Sequence, residues 1–200
     1  MKITVVSGSI RETSQSDRIA KIVQNIINEL DMDVEADVVF LKDEKIPLWD
    51  EGKWKSDSEI TKHWKPISDK LKASDGFVIV TPEWAGMAPP HLKNFLLMCE
   101  VGELAHKPAQ IVSVSSGMGG AYPVSDLRVS GSKNNMITWL PDHIILRNVT
   151  NLFIEDEPTD LDAELLARIK YSMTYLAATA EAWNPVRDKY QNRKEYKFGM

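Results

Sequence analysis

Apolar and polar positions alternate in blocks along the chain. Residues 2–7 (Lys-Ile-Thr-Val-Val-Ser) form a short β-branched run closed by Gly8, the pattern of a buried strand. Over residues 17–30, Ile19, Ile22, Val23, Ile26, Ile27 and Leu30 recur at three- and four-residue steps. Lys21, Gln24, Asn28 and Glu29 face the other way, which predicts an amphipathic helix. Residues 34–41 read as a second strand whose early alternation puts it at or near an edge. Residues 42–58 are irregular and polar and predict a long loop; a helix over 59–73 follows. Residues 77–81 (Phe-Val-Ile-Val-Thr) make an apolar strand stopped by Pro82, then a helix over 90–101 and a strand over 109–115. A helix around 122–136 and a strand around 143–149 complete the alternation. In the last helix Thr159 and Asp162 form a capping box. Leu161, Leu165, Ile169, Met173, Leu176, Ala180 and Trp183 mark its apolar stripe, and Asn184-Pro185 ends it.

Five strands with helices between them predict an α/β three-layer sandwich: a parallel sheet covered on both faces through right-handed crossovers. No repeat, low-complexity tract or linker interrupts it. Residues 1–183 read as one domain and 184–200 as a polar tail. At 200 residues the chain is long enough to bury roughly 70% of its unfolded surface without staples. The net charge of −5 argues against a nucleic-acid binder, which carries a basic face. Within it, the tail carries +3 and the body −8. No apolar run reaches the roughly 20 residues that span a bilayer, and the N-terminus lacks a signal peptide, so the expectation is a cytoplasmic protein. The single cysteine, Cys99, excludes an intrachain disulfide and fits a reducing compartment.

In parallel sheets of this kind ligands bind outside the carboxyl ends of the strands, where the strand order reverses. Three junctions there are unusual. The first, Ser7 to Ser16, holds four serines, Thr13, Gly8 and Arg11 ahead of a helix. Hydroxyls and free amides at a helix N-terminus suit a phosphate dianion, and Arg11 adds a planar donor fork. Neither G-x-G-x-x-G nor the Walker pattern is present, so a phosphomonoester held by hydroxyls is the reading; a serine-rich helix cap is the alternative. The second, Thr81 to Pro90, carries Trp84 among three prolines and Gly86, either a platform for a planar ligand or a rigid turn capping the core. The third, Ser115 to Tyr122, contains Gly117, Gly119 and Gly120, which allow close backbone approach to a ligand or a tight turn.

Taken together the junctions resemble the NADPH-dependent FMN reductases of the flavodoxin-like superfamily. Gly8, Ser9, Arg11 and Ser14 match G-S-x-R-x-x-S, with Ser16 where Asn is usual. Pro82, Glu83, Pro89, Leu92, Lys93 and Asn94 match P-E-Y-N-x-S-x-P-x-x-L-K-N, with Trp84 for Tyr, Ala85 for Asn and Met87 for a small polar residue. Gly117, Gly119, Gly120, Leu127 and Arg128 match the third motif, while Tyr122-Pro123 replaces an Arg-Ala pair. The resemblance implies a flavodoxin-like sheet of order 2-1-3-4-5. It implies FMN held at its phosphate by Ser9, Arg11, Ser14 and Ser16, and along its ring by Pro82, Glu83, Trp84 and Ala85, with Ser116, Gly117, Gly119 and Gly120 on the other side. NADPH or NADH would be the reductant and a small molecule such as a quinone or flavin the acceptor, in a homodimer or homotetramer.

No side chain need act as acid or base when a flavin carries the hydride. A non-enzymatic FMN carrier and a flavin-free binding protein remain as alternatives, the latter motivated by Ala85 and Met87. Other chemistries lack their residues. His63, His91, His106 and His143 are scattered without metal spacing, no G-x-S-x-G elbow occurs, and Cys99 reads as a small buried hydrophobe. Trp49, Trp54 and Trp64 within residues 42–66 read either as a satellite core or as a wall of the flavin site.

Overall fold

The computed structural model describes residues 1–190. Five parallel strands, β1 (Lys2–Ser7), β2 (Glu35–Phe40), β3 (Gly76–Pro82), β4 (Pro108–Val114) and β5 (Thr138–Leu146), lie in the order β2-β1-β3-β4-β5. The order is the expected one. The central strands are dry: β4 is buried along its whole length, and β3 everywhere except its terminal Pro82. One core packs Val5, Val78, Val80, Val112 and Ile144 under α1 (Gln15–Asn28) and α7 (Asp160–Ala182). The other packs Val6, Phe77, Ile79 and Ile111 under α3 (Glu59–Lys72) and α4 (Pro90–Met98). Neighbouring side chains on a strand point to opposite faces, so Val5 and Val6, or Val78 and Ile79, feed different cores.

Several segments differ from expectation. The last strand runs over Thr138–Leu146 rather than 143–149, and the helix before it, α6 (Ala121–Val129), stops short of the expected end near 136. Pro141 and Asp142 disguise the strand as a loop. They are tolerated because β5 is an edge strand whose register slips between Ala109 and Ile111, where the missing proline N–H costs no ladder bond. Arg128 braces the spot by donating to the carbonyls of Leu140 (2.9 Å) and Pro141 (2.6 Å). The expected loop 42–58 contains a single turn, α2 (Leu41–Glu44), and a 3-10 turn over Glu51–Trp54. Asn94 ties this segment to α4, accepting from Trp49 N (2.8 Å) and donating to Pro47 O (2.8 Å). A further turn, α5 (Val101–Leu104), precedes β4.

The polar tail that follows Asn184-Pro185 begins as a helix. This helix, α8 (Asn184–Tyr190), has its proline in the first turn where no intrahelical bond is lost. Arg187 docks it by donating to the Asp75 carbonyl (3.1 Å) and carboxylate (2.6 Å). The charged and aromatic tail residues from Arg193 to Phe198 lie outside the described residues. Cys99 is buried, as expected, and burial raises its thiol pKa well above the ordinary value.

Two features carry measurable cost. After β3, Trp84 and Met87 exchange backbone hydrogen bonds at 3.0 Å around Ala85 (φ +49°) and Gly86 (φ +72°). A two-residue turn with both central φ positive suits Asn-Gly or Gly-Gly, and Ala85 sits in it against its Cβ. We expect Ala85→Gly to raise unfolding stability by about 1 kcal/mol in urea titration; a loss would refute the strained turn. Lys107 is 3% exposed, donates to the Leu71 (2.9 Å) and Lys72 (3.1 Å) carbonyls, and lies over the Phe77 ring. Burial, seconded by Arg187, lowers its pKa to about 8 from 10.5. Between those values the unfolded chain keeps the proton that the folded chain releases, so this lysine's contribution to stability rises with pH. The stability of the wild type relative to Lys107→Met should therefore rise by up to about 3 kcal/mol from pH 7.5 to 10.5; parallel pH curves would contradict it.

Candidate active site

The carboxyl ends of β1, β3 and β4 open onto a cavity of about 230 Å³. Ser9, Arg11, Ser14, Ser16, Pro82, Glu83, Trp84 and Ser116 line it, drawn from all three junctions singled out in the sequence. Arg11 and Glu83 are the two charged residues of that lining. Ala85, Gly117, Gly119 and Gly120 are not in it. Ala85 is the exposed tip of the β3 turn, and Gly119 and Gly120 lie behind Glu83. Met87 also falls outside the lining, so neither substitution that weakens the family resemblance alters the cavity wall. Trp49, Trp54 and Trp64 stand away from it as well. Trp49 and Trp64 belong to the second core, and Trp54 packs edge-on against Trp49 with ring centroids 5.2 Å apart.

The phosphate-side wall is built by the entry into α1. Ser14 caps the helix, accepting from Asp17 N at 3.2 Å, so the first-turn amides point toward the cavity end. Ser9 is 2% exposed, and its Oγ accepts from Arg11 N at 3.3 Å. The Arg11 side chain is exposed and takes part in no ion pair among the described residues. Gly8 must be glycine because a Cβ would press on Leu92 (2.9 Å) and the Val80 carbonyl (3.2 Å), while its N–H donates to that same carbonyl. One turn below the entry, Asp17 would oppose an anion, but it is neutralised. Ser7 Oγ donates to Oδ1 (2.6 Å) and Lys42 Nζ lies 2.8 Å from Oδ2. The bond to Asp17 in turn raises the Lys42 pKa.

Thr13, Gln15, Val114 and Thr150 also line the cavity. Thr13 belongs to the hydroxyl-rich stretch visible in the sequence. Thr150 has no local signal; Arg18 brings it in by donating to Val149 O (2.6 Å) and Leu152 O (2.8 Å) across 131 and 134 residues. Desolvation lowers the Arg18 pKa and Asp162 counters it. The conspicuous Lys93 of the second motif is scaffold: its Nζ meets Asp126 Oδ1 at 2.5 Å, and Ala88 N donates to the other carboxylate oxygen at 3.1 Å, locking the β3 turn onto α6 (Ala121–Val129).

Hydroxyls, a guanidinium and helix amides at one end, with Pro82 and the Trp84 ring at the other, suit a ligand with an anionic tail and a flat head. Among the described residues no cluster of three His, Cys, Asp or Glu is arranged to hold a metal, and no helix is long and apolar enough to cross a membrane.

Known proteins are similar in sequence and fold. The family model for NADPH-dependent FMN reductase matches residues 1–151. An NADPH azoreductase of Bacillus sp. (strain OY1-2) is 27% identical over 186 residues, covering 90% of this chain and 96% of that protein. An FMN-dependent NADPH-azoreductase of Staphylococcus haemolyticus (strain JCSC1435) is 29% identical over 130 residues, 64% of this chain and 68% of its own. In structure, FerB, a flavoenzyme NAD(P)H:(acceptor) oxidoreductase from Paracoccus denitrificans, shares the fold, with a TM-score of 0.72 at 18% identity over 91% of this chain and 98% of that one. A match over three quarters of the chain, laid on the sheet whose strand ends build the cavity, shows that this chain belongs to the NADPH-dependent FMN reductase family.

Proposed function

We propose that the chain is an FMN-dependent oxidoreductase that passes hydride from NADPH or NADH to a small acceptor such as a quinone or flavin. The observation that carries this reading is the convergence of Ser9, Arg11, Ser14 and Ser16 with Trp84 and Ser116 on one cavity. The first four would hold the FMN phosphate, helped by the α1 amides and by Thr13. Pro82, Glu83 and Trp84 would run along one side of the isoalloxazine and Ser116 along the other, while Ala85, Gly117, Gly119 and Gly120, expected beside the ring from the sequence, stand outside the cavity wall. Bound FMN would supply the redox chemistry, accepting hydride from the nicotinamide and delivering it to the acceptor. The protein's part is to orient the ring, keep its edge dry and hold the phosphate. The names of the Bacillus and Staphylococcus relatives add azo compounds to the acceptors to be tried.

The same reading takes the protein as cytoplasmic and as a homodimer or homotetramer. Exposed apolar residues on the segments that follow β3 and β4, Met87, Met118 and Tyr122, support a second copy packing against this edge of the sheet.

Arg11 is the sharpest test. A charge-assisted bond to phosphate is worth about 1.5–3 kcal/mol, so Arg11→Ala should weaken FMN binding roughly 10- to 150-fold in flavin fluorescence titration. Unchanged affinity would remove the phosphate assignment, and a wild type that fails to quench micromolar FMN would remove the flavin reading altogether.

A further inference from the structure

One peptide unit behind the cavity, the link from Gly119 to Gly120, is gripped at both ends. Its N–H donates to Glu83 Oε2 at 2.5 Å, and its carbonyl accepts from Arg147 Nε at 3.0 Å. The same guanidinium nitrogen reaches the Met118 carbonyl at 2.8 Å, and Asn148 N–H donates to the Gly117 carbonyl at 2.9 Å. Glu83 closes β3 and Arg147 follows β5, while the glycine loop follows β4. Three strand ends are thus pinned through a single amide. The grip also explains both glycines. A Cβ at Gly119 would lie 2.8 Å from Glu83 Oε1, and one at Gly120, whose φ is +106°, would overlap Ile145.

This arrangement has a chemical consequence. A carboxylate accepts hydrogen bonds and donates none. It therefore occupies the Gly120 amide, which would otherwise be free to donate to an electron-rich flavin edge. It also puts a negative charge in the cavity lining.

We propose that Glu83 is a positioning residue that sets the reduction potential of the bound flavin. It clamps the Gly119–Gly120 peptide with Arg147, and its charge disfavours extra electron density on the ring, keeping the reduced cofactor a strong hydride donor. The proposal rests on the FMN reading above, and its test separates the two.

In the flavin-free protein the Gly120 amide should be protected from hydrogen exchange and lose that protection in Glu83→Ala. An unprotected wild-type amide would overturn the clamp whatever the protein binds. With FMN bound, Glu83→Gln keeps an oxygen acceptor for Gly120 N–H but removes the charge. Its affinity for reduced FMN should rise roughly tenfold relative to its affinity for oxidised FMN, a rise of about 30 mV in the two-electron midpoint potential. Gly119→Ala, whose methyl displaces the flexible end of Glu83, should raise the potential in the same direction and add little to Glu83→Gln in the double variant. Unchanged potentials in both variants, with FMN bound normally, would overturn the proposal while leaving the flavin reading intact.

Discussion

The sheet is covered on both faces, and that constraint organises everything else. A parallel strand cannot be reached by a tight turn, so each must be entered through a crossover that lies on one face or the other. With β3 and β4 buried almost end to end, the chain has no freedom to reverse a strand or leave a face wet. All carboxyl ends therefore point one way, and the loops after β1, β3 and β4 meet. The cavity is the by-product of covering the sheet, and the residues placed on those loops give it chemistry.

Electrostatics at that edge works against the rest of the molecule. The chain carries a net charge of −5, yet the cavity wall brings hydroxyls, the α1 entry and Arg11 together. Asp17 is tied down by Ser7 and Lys42, and the donors above it are hydroxyls and helix amides, which add positive potential without a dense cluster of cations. Arg11 is exposed and in no ion pair among the described residues. The other charged residue of the lining, Glu83, is held to the Gly119–Gly120 peptide.

The strands before residue 115 and the longer helices were legible because periodicity is a local property: Ile19 to Ile27 repeat on one stripe, and residues 77–81 are apolar throughout. Where packing overrode local preference, the pattern misled. Pro141 marks a loop by every local criterion but sits on an edge strand at a register slip. Pro185 ends one helix and begins another, because Arg187 finds Asp75 on the far side of the chain. The prominent Lys93 and Asn94 of the second motif turned out to brace loops through Asp126, Pro47 and Trp49. Of the tryptophans in the 42–66 segment, read as core or wall, Trp49 and Trp64 fall on the core side, Trp54 is exposed, and none lines the cavity.

The order of apolar and polar residues by itself determined the alternation of strand and helix, hence the layered parallel sheet, and the composition of three loops marked them as candidates for an anionic, flat ligand beside the alternatives of a helix cap and tight turns. Both follow from nearest-neighbour chemistry: which side chains avoid water, and which groups donate to phosphate. Only the tertiary structure decided which of those residues share a wall. It moved Ala85 to an exposed turn tip, brought Thr150 to the cavity through Arg18, and joined Glu83, Gly119–Gly120 and Arg147 through one peptide. Those contacts span 28 to 131 residues. Their partners are chosen by the register and the ends of strands, and no window along the chain holds that information.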